Sequence, residues 1–171
     1  VTTDLRDLAR ERESILKLVA SMKNDIRRIL QSTFPELEQT VDVLCATMLR
    51  FLKGFPSARL INQATPREVA EGVSQKGSGR RFSVPYTRII ELAKSSVATT
   101  SPSKELILPG KIETLFHLTK RADEITKMLV ELCKSIRQEE FGILTSIRGI
   151  AEKTAAPFLA ELGDHQNFQS Y

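Results

Sequence analysis

The sequence predicts an all-α fold: long antiparallel, coiled-coil-like helices, short helices inserted between them, and a helix–hairpin–helix at the C-terminal end. Three observations carry that expectation. Apolar residues recur at steps of three and four along two extended stretches. No stretch shows the period-two alternation of a half-buried strand. Hydrophobic residues make up 41% of the 171 positions, which supports a packed core.

The first helix is predicted over 4–31. Leu5, Leu8, Arg12, Ile15, Val19, Met22, Ile26 and Ile29 form a heptad seam in which only Arg12 is polar. At 1.5 Å per residue this stripe runs about 40 Å. A second amphipathic helix follows within the segment 1–53. Thr33 and Glu36 are spaced as a capping box with Pro35 in the first turn. Leu37, Val41, Leu44, Met48 and Phe51 continue the period up to the stop at Gly54 and Pro56.

The segment 54–103 reads as a basic insert with short helices. Thr65-Pro66-Arg67-Glu68 is a capping box that should start a helix reaching about Val73. A further short helix is predicted over 85–95, with loop at 94–103 by composition. Lys76, Arg80, Arg81 and Arg88 lie close together with no acid between them. Seven basic against three acidic side chains give this insert +4, equal to the net charge of the whole chain. That concentration points to contact with a nucleic-acid backbone, against the plainer reading of a solvated loop.

The segment 104–140 carries the second long helix, predicted from Ile112 to about Glu139. Its seam is Ile112, Leu115, Leu118, Ala122, Ile125, Leu129, Leu132 and Ile136, and Pro109-Gly110 marks a start or a kink. The two seams should either bury against each other or mediate a homodimer. The last segment, 141–171, opens with a small hairpin. Phe141, Ile143, Leu144 and Ile147 form one apolar face, and the turn 148–151 contains Gly149, free to take positive φ. A second helix over about 152–162 presents Ala155, Ala156, Leu159 and Leu162 and ends at Gly163. Pro157 inside it should kink the helix. Such a hairpin points backbone N–H groups outward, and Arg148, Lys153 and Thr154 add charge and a hydroxyl donor, a combination that suits phosphate. An ordinary helix–helix corner would show the same pattern.

Composition narrows the remaining classes. Aromatics are 6% and Trp is absent, which argues against a base-stacking platform. The pI of about 9.2 permits a nucleic-acid partner without demanding one. Cys45 and Cys133 sit in apolar helical patterns and read as small buried hydrophobes in an intracellular, cytoplasmic protein. No signal peptide is visible and no run of about 18 apolar residues occurs, which excludes a membrane-spanning helix. Asp4, Asp7, Asp25, Asp42, Asp123 and Asp164 are scattered, and His117 and His165 have no partner at ligand spacing, so neither a metal site nor a catalytic residue is expected. The chain starts without Met and stops shortly after a helix closes, so it reads as a piece of something longer.

The stretch SIRGIAEKTAAPFLAELGD, with Phe168 after it, resembles the start of the C-terminal domain of insertion-sequence one-ten-type transposases. The family pattern is S-I-P-G-I-G, then T-A-A, then L-L-A-E-I-G-D and a Phe. Ser146, Ile147, Gly149, Ile150, Thr154, Ala155, Ala156, Leu159, Ala160, Glu161, Gly163 and Asp164 match it. Arg148 stands where Pro is usual. Ala151 stands where a second Gly is usual, and a left-handed backbone there would strain an alanine. FPEL (34–37), FLKGFP (51–56) and the L-A-K-x-S run at 92–96 fall in the family's order, so the resemblance spans essentially the whole chain. It implies a fragment without its own cofactor. The Mg²⁺-binding carboxylates would belong to a missing N-terminal ribonuclease-H-like domain, and the attacking serine to a region beyond Tyr171, so Ser146 is not that nucleophile. It further implies DNA as partner, a guide RNA for several members, oligomeric action, and a prokaryotic, nucleoid-associated setting. Two other readings compete. One is a coiled-coil protein–protein module without nucleic acid. The other is a repair-type helix–hairpin–helix binder, disfavoured because that group carries an intact G-h-G turn where this chain has G-I-A.

Overall fold

A computed structural model describes residues 2–74 and 84–163. Among the described residues the secondary structure is helical throughout, with no strand. The helices are α1 (Thr2–Thr33), α2 (Pro35–Thr40), α3 (Ala46–Gly54), α4 (Ala58–Gln63), α5 (Pro66–Val73), α6 (Tyr86–Lys94), α7 (Pro102–Ile136), α8 (Gln138–Ser146) and α9 (Glu152–Leu162). They divide into two compact units whose boundaries run through both long helices. Unit 1 is Val1–Val19 with His117–Tyr171, and unit 2 is Ala20–Phe116.

In unit 1, α7 packs antiparallel on α1. The core joins Leu5 and Ala9 of α1, Leu129 and Cys133 of α7, Phe141 of α8, and Ala155, Ala156, Leu159 and Ala160 of α9. Small side chains at Ala9, Ala155, Ala156 and Ala160 let helix backbones approach around the bulkier Leu5, Leu129, Phe141 and Leu159. Arg12, the polar member of the α1 seam, donates from Nε to Thr126 Oγ1 at 2.8 Å, which satisfies it without an acid. Arg137 is almost fully buried. Its Nη1 donates to the carbonyls of Leu159 at 3.0 Å and Gly163 at 2.6 Å, while Nε and Nη2 meet Glu140 Oε1 at 3.3 and 3.1 Å. The guanidinium therefore takes the last carbonyls of α9, where a helix has no donors of its own.

In unit 2, the later turns of α1 and the first turns of α7 are also antiparallel: Lys104 Nζ reaches Ser32 Oγ at 2.7 Å, and Lys111 Nζ pairs with Asp25. The core holds Ile26, Leu30, Phe34, Leu37, Met48, Phe51, Leu52, Ile61, Ile89, Leu108 and Ile112. Helix α6 packs on α2, α4 and α5, and α5 also meets α3. Phe51 and Phe55 stack at 5.1 Å between ring centroids. Gly72 lies against them, and a Cβ there would come within 2.8 Å of the Phe55 ring. Ser57 caps α4 and donates to the buried Glu105 of α7 at 2.6 Å, and Arg59 Nε donates to the same carboxylate at 3.0 Å. The Arg59 guanidinium holds the Glu105 carboxyl below the usual carboxylate range, against the effect of burial.

Several sequence expectations need correction. The amphipathic helix expected after Thr33 is two helices. At the break, Asp42 Oδ1 accepts from Leu44 N at 3.0 Å and Cys45 Sγ accepts from Met48 N at 3.5 Å, so local side-chain bonds replace helix continuation. Cys45 is accordingly exposed and only Cys133 is buried. The capping box at Thr33 does not form. Thr33 still belongs to α1 and bonds the Ile29 carbonyl at 3.1 Å, while Glu36 accepts from Ser96 Oγ at 2.5 Å and Val97 N at 2.8 Å. Helix α4 was not anticipated. Helix α7 begins at Pro102, ten positions before Ile112, with Pro109 inside it; the Ser57 and Arg59 bonds to Glu105 stabilise this early start. The capping box at Thr65–Glu68 forms as expected, as do α6 and the C-terminal hairpin.

Candidate nucleic-acid interface

The hairpin sits in unit 1. Phe141 anchors α8 in the core while Ile143 and Ile147, expected on the same apolar face, are 65% and 50% exposed. The reason is tertiary: α8 presents one narrow face to α9, and that face is filled by Phe141 and Leu144. The chain leaves α8 through Ile147 in an extended conformation, and Ile150 N closes the turn on Ile147 O at 3.1 Å. Gly149 takes φ +100, with open space around the position of a Cβ. Backbone conformation, not crowding, requires the glycine.

Ala151 is the N-cap of α9 with φ −84 and ψ 156. The position where a second glycine is usual in the resembled pattern therefore needs no left-handed residue, and alanine fits without strain. Its methyl group cannot accept a hydrogen bond, so α9 starts without a side-chain cap. Thr154 N and Ala155 N both donate to Ala151 O, at 2.8 and 3.0 Å. The Thr154 amide is thus engaged, and Thr154 offers only its exposed hydroxyl. Glu152 and Lys153 supply the amides that a helix start leaves without intrahelical acceptors. Pro157 lies within α9, and Gly163 ends it at φ +66.

The turn is held to α7 by one bridge, Lys134 Nζ to Glu152 Oε1 at 2.6 Å. Lys134 also lies 5.7 Å over the Phe141 ring. Beside it a groove of about 530 Å³ is lined by Thr126, Lys127, Val130, Glu131 and Lys134 of α7 with Ala151, Glu152 and Lys153 of α9. The lining residues of α7 fall on one helix face by their spacing. The sequence assigned no role to Lys127, because nothing in the order of residues brings it to the start of α9.

Among the described residues, Arg148 and Lys153 are exposed and have no ion-pair or hydrogen-bond partner. Nothing among known protein families, curated proteins or solved structures matches the chain.

The other residues singled out by sequence are placed differently. Arg88 is in the first turn of α6 in unit 2, exposed, and pairs with Glu91 at 3.1 Å, which offsets its charge. Lys76, Arg80 and Arg81 lie outside the described residues. Of the two seams, Leu5, Ile15, Val19, Ile26, Ile125 and Leu129 are buried; Leu8, Met22, Ile29 and Leu132 are half-buried; Ile136 is 40% exposed. Ala9, Leu30 and Cys133 complete the buried lines. Burial raises the Cys133 thiol pKa, against the opposing Arg137 charge, which keeps it protonated and inert. No group of acidic, His or Cys side chains among the described residues could hold a metal ion, and no described helix is long and apolar enough to cross a membrane.

Proposed function

We propose that this chain is the non-catalytic helical section of a DNA transposase of the insertion-sequence one-ten type, a scaffold that dimerises and touches nucleic-acid backbone. The observation that supports it best is the hairpin turn. Gly149 at positive φ leads into a helix start with no side-chain cap, flanked by the exposed, unpaired cations Arg148 and Lys153. Amide donors and cations of this kind favour phosphate and ignore base identity, so they contribute affinity and not sequence choice. The basic run Lys76–Arg81 would add to the same backbone contact. Chemistry belongs to other parts of the parent protein, including its Mg²⁺ site. A homodimer has to use apolar surface outside the seam, because Leu5, Ile15, Val19 and Ile26 are covered within the chain.

Salt-dependent retention on immobilised DNA and RNA tests the reading. Charge reversal at Arg148 and Lys153, and separately at Lys76, Arg80 and Arg81, should lower the salt needed for elution. Retention that survives all five changes would sink it. The exposed side chains Ile143 and Phe158 (65% and 55% exposed) favour a second reading, a protein–protein module. That reading requires no nucleic-acid retention and a mass above that of one chain on light scattering.

A further inference from the structure

We infer that the groove between α7 and the start of α9 is a second phosphodiester subsite, in which Lys127 holds the nucleic-acid backbone next to the hairpin turn. This rests on the nucleic-acid reading above and extends it to a residue outside the hairpin.

The argument starts from which lining charges are already committed. Lys134 is engaged by Glu152 at 2.6 Å and by the Phe141 ring, so that cation and that carboxylate offset each other. Thr126 Oγ1 donates to Ala122 O at 2.7 Å and accepts from Arg12 Nε at 2.8 Å, so it too is occupied. Two cations, Lys127 and Lys153, and one carboxylate, Glu131, remain exposed and without a partner among the described residues. The two cations line the groove from two different helices, α7 and α9, an arrangement that a solvated single-helix charge pattern does not produce.

The groove also has a polarity. The Arg12 guanidinium reaches the α7 end at Thr126, next to Lys127, and adds positive charge there. Glu131 lines the groove one turn further along α7 and repels an anion. A phosphate is therefore directed to the Lys127 end. The volume of about 530 Å³ exceeds what one phosphate fills and suits a phosphate with its sugar. Val130 and Ala151 give that sugar an apolar surface.

The test uses the full chain with a labelled single-stranded DNA oligonucleotide and an RNA of the same sequence, titrated across a salt series. Lys127→Gln should weaken binding of both strands several-fold and lower the log–log salt slope by about one. Lys120→Gln removes one charge from the same helix outside the groove and should leave the slope unchanged. Circular dichroism confirms that both variants keep their helix content. If Lys127→Gln behaves as Lys120→Gln while Arg148→Glu still weakens binding, the subsite is wrong and the hairpin reading stands. If neither Arg148→Glu nor Lys153→Glu affects binding, the hairpin reading itself has failed and the subsite with it. An effect confined to RNA would overturn the claim that the contact is to the backbone common to both strands.

Discussion

The two compact units solve the same problem, packing short helices on a long helical pair, by different means. Unit 2 fills its interior with bulk: Phe34, Phe51, Met48 and Leu52 are fully buried, and its buried carboxylate Glu105 is matched by Ser57 and Arg59. Unit 1 sets the alanines Ala9, Ala155, Ala156 and Ala160 among Leu5, Leu129, Phe141 and Leu159, and buries Arg137, whose hydrogen bonds go to helix-end carbonyls and a partly exposed Glu140. Unit 1 carries Arg148 and Lys153, exposed and without a partner among the described residues, at the turn into α9.

The sharpest way to break this comparison is to remove bulk from unit 2. Phe51→Ala should destabilise by about 3 to 5 kcal/mol, since it deletes a buried ring and its stacking on Phe55. Urea denaturation followed by circular dichroism measures the loss. A change below about 1 kcal/mol would mean the ring is not carrying the core.

A second, smaller effect concerns pH. Glu105 is held low by Arg59 and Ser57 despite burial. For Glu36, burial works against ionisation, but the Ser96 hydroxyl and the Val97 amide outweigh it and lower the pKa. Both folded pKa values lie below the unfolded ones. Their stabilisation is therefore complete above the unfolded carboxylate pKa, near about 4.3, and is lost as pH falls through the folded values. Tm should fall on acidification across that window, and Glu105→Gln combined with Glu36→Gln should flatten the dependence. An equally steep profile in the double variant would refute the assignment.

The smallest effects fall on the turn of unit 1. Gly149→Ala should cost about 1 kcal/mol through positive φ alone, because the space for a Cβ is open. Ala151→Ser should instead stabilise by about 0.5 to 1 kcal/mol, by supplying the missing cap. Thermal melts of the two variants should move in opposite directions. Movement in the same direction would show that the turn geometry differs from the one described.

Much of this was legible in the residues themselves. The α1 period, the Thr65–Glu68 box, the Gly149 turn and the Gly163 stop are local devices: each is decided by side-chain size, branching or hydrogen bonding within a few positions. The candidate site was legible in half. Arg148, Gly149 and Lys153 follow from the hairpin pattern, whereas Lys127 does not, because its approach to α9 depends on how α7 and α9 pack. Arg88 looked free in sequence and is paired, since Glu91 lies one helical turn away on the same face.

By itself the sequence determined that this chain is helical, where its strongest caps and turns fall, and which stripes are apolar, because these follow from periodicity and short-range sterics. Only the tertiary structure decided that the helix after Thr33 breaks, that α7 begins at Pro102, and that Glu36 serves the loop at Ser96 and Val97 instead of capping a helix. Each of those outcomes is a competition between a local preference and a partner tens of residues away. Such competitions are won by burial and hydrogen bonding that no window of sequence contains.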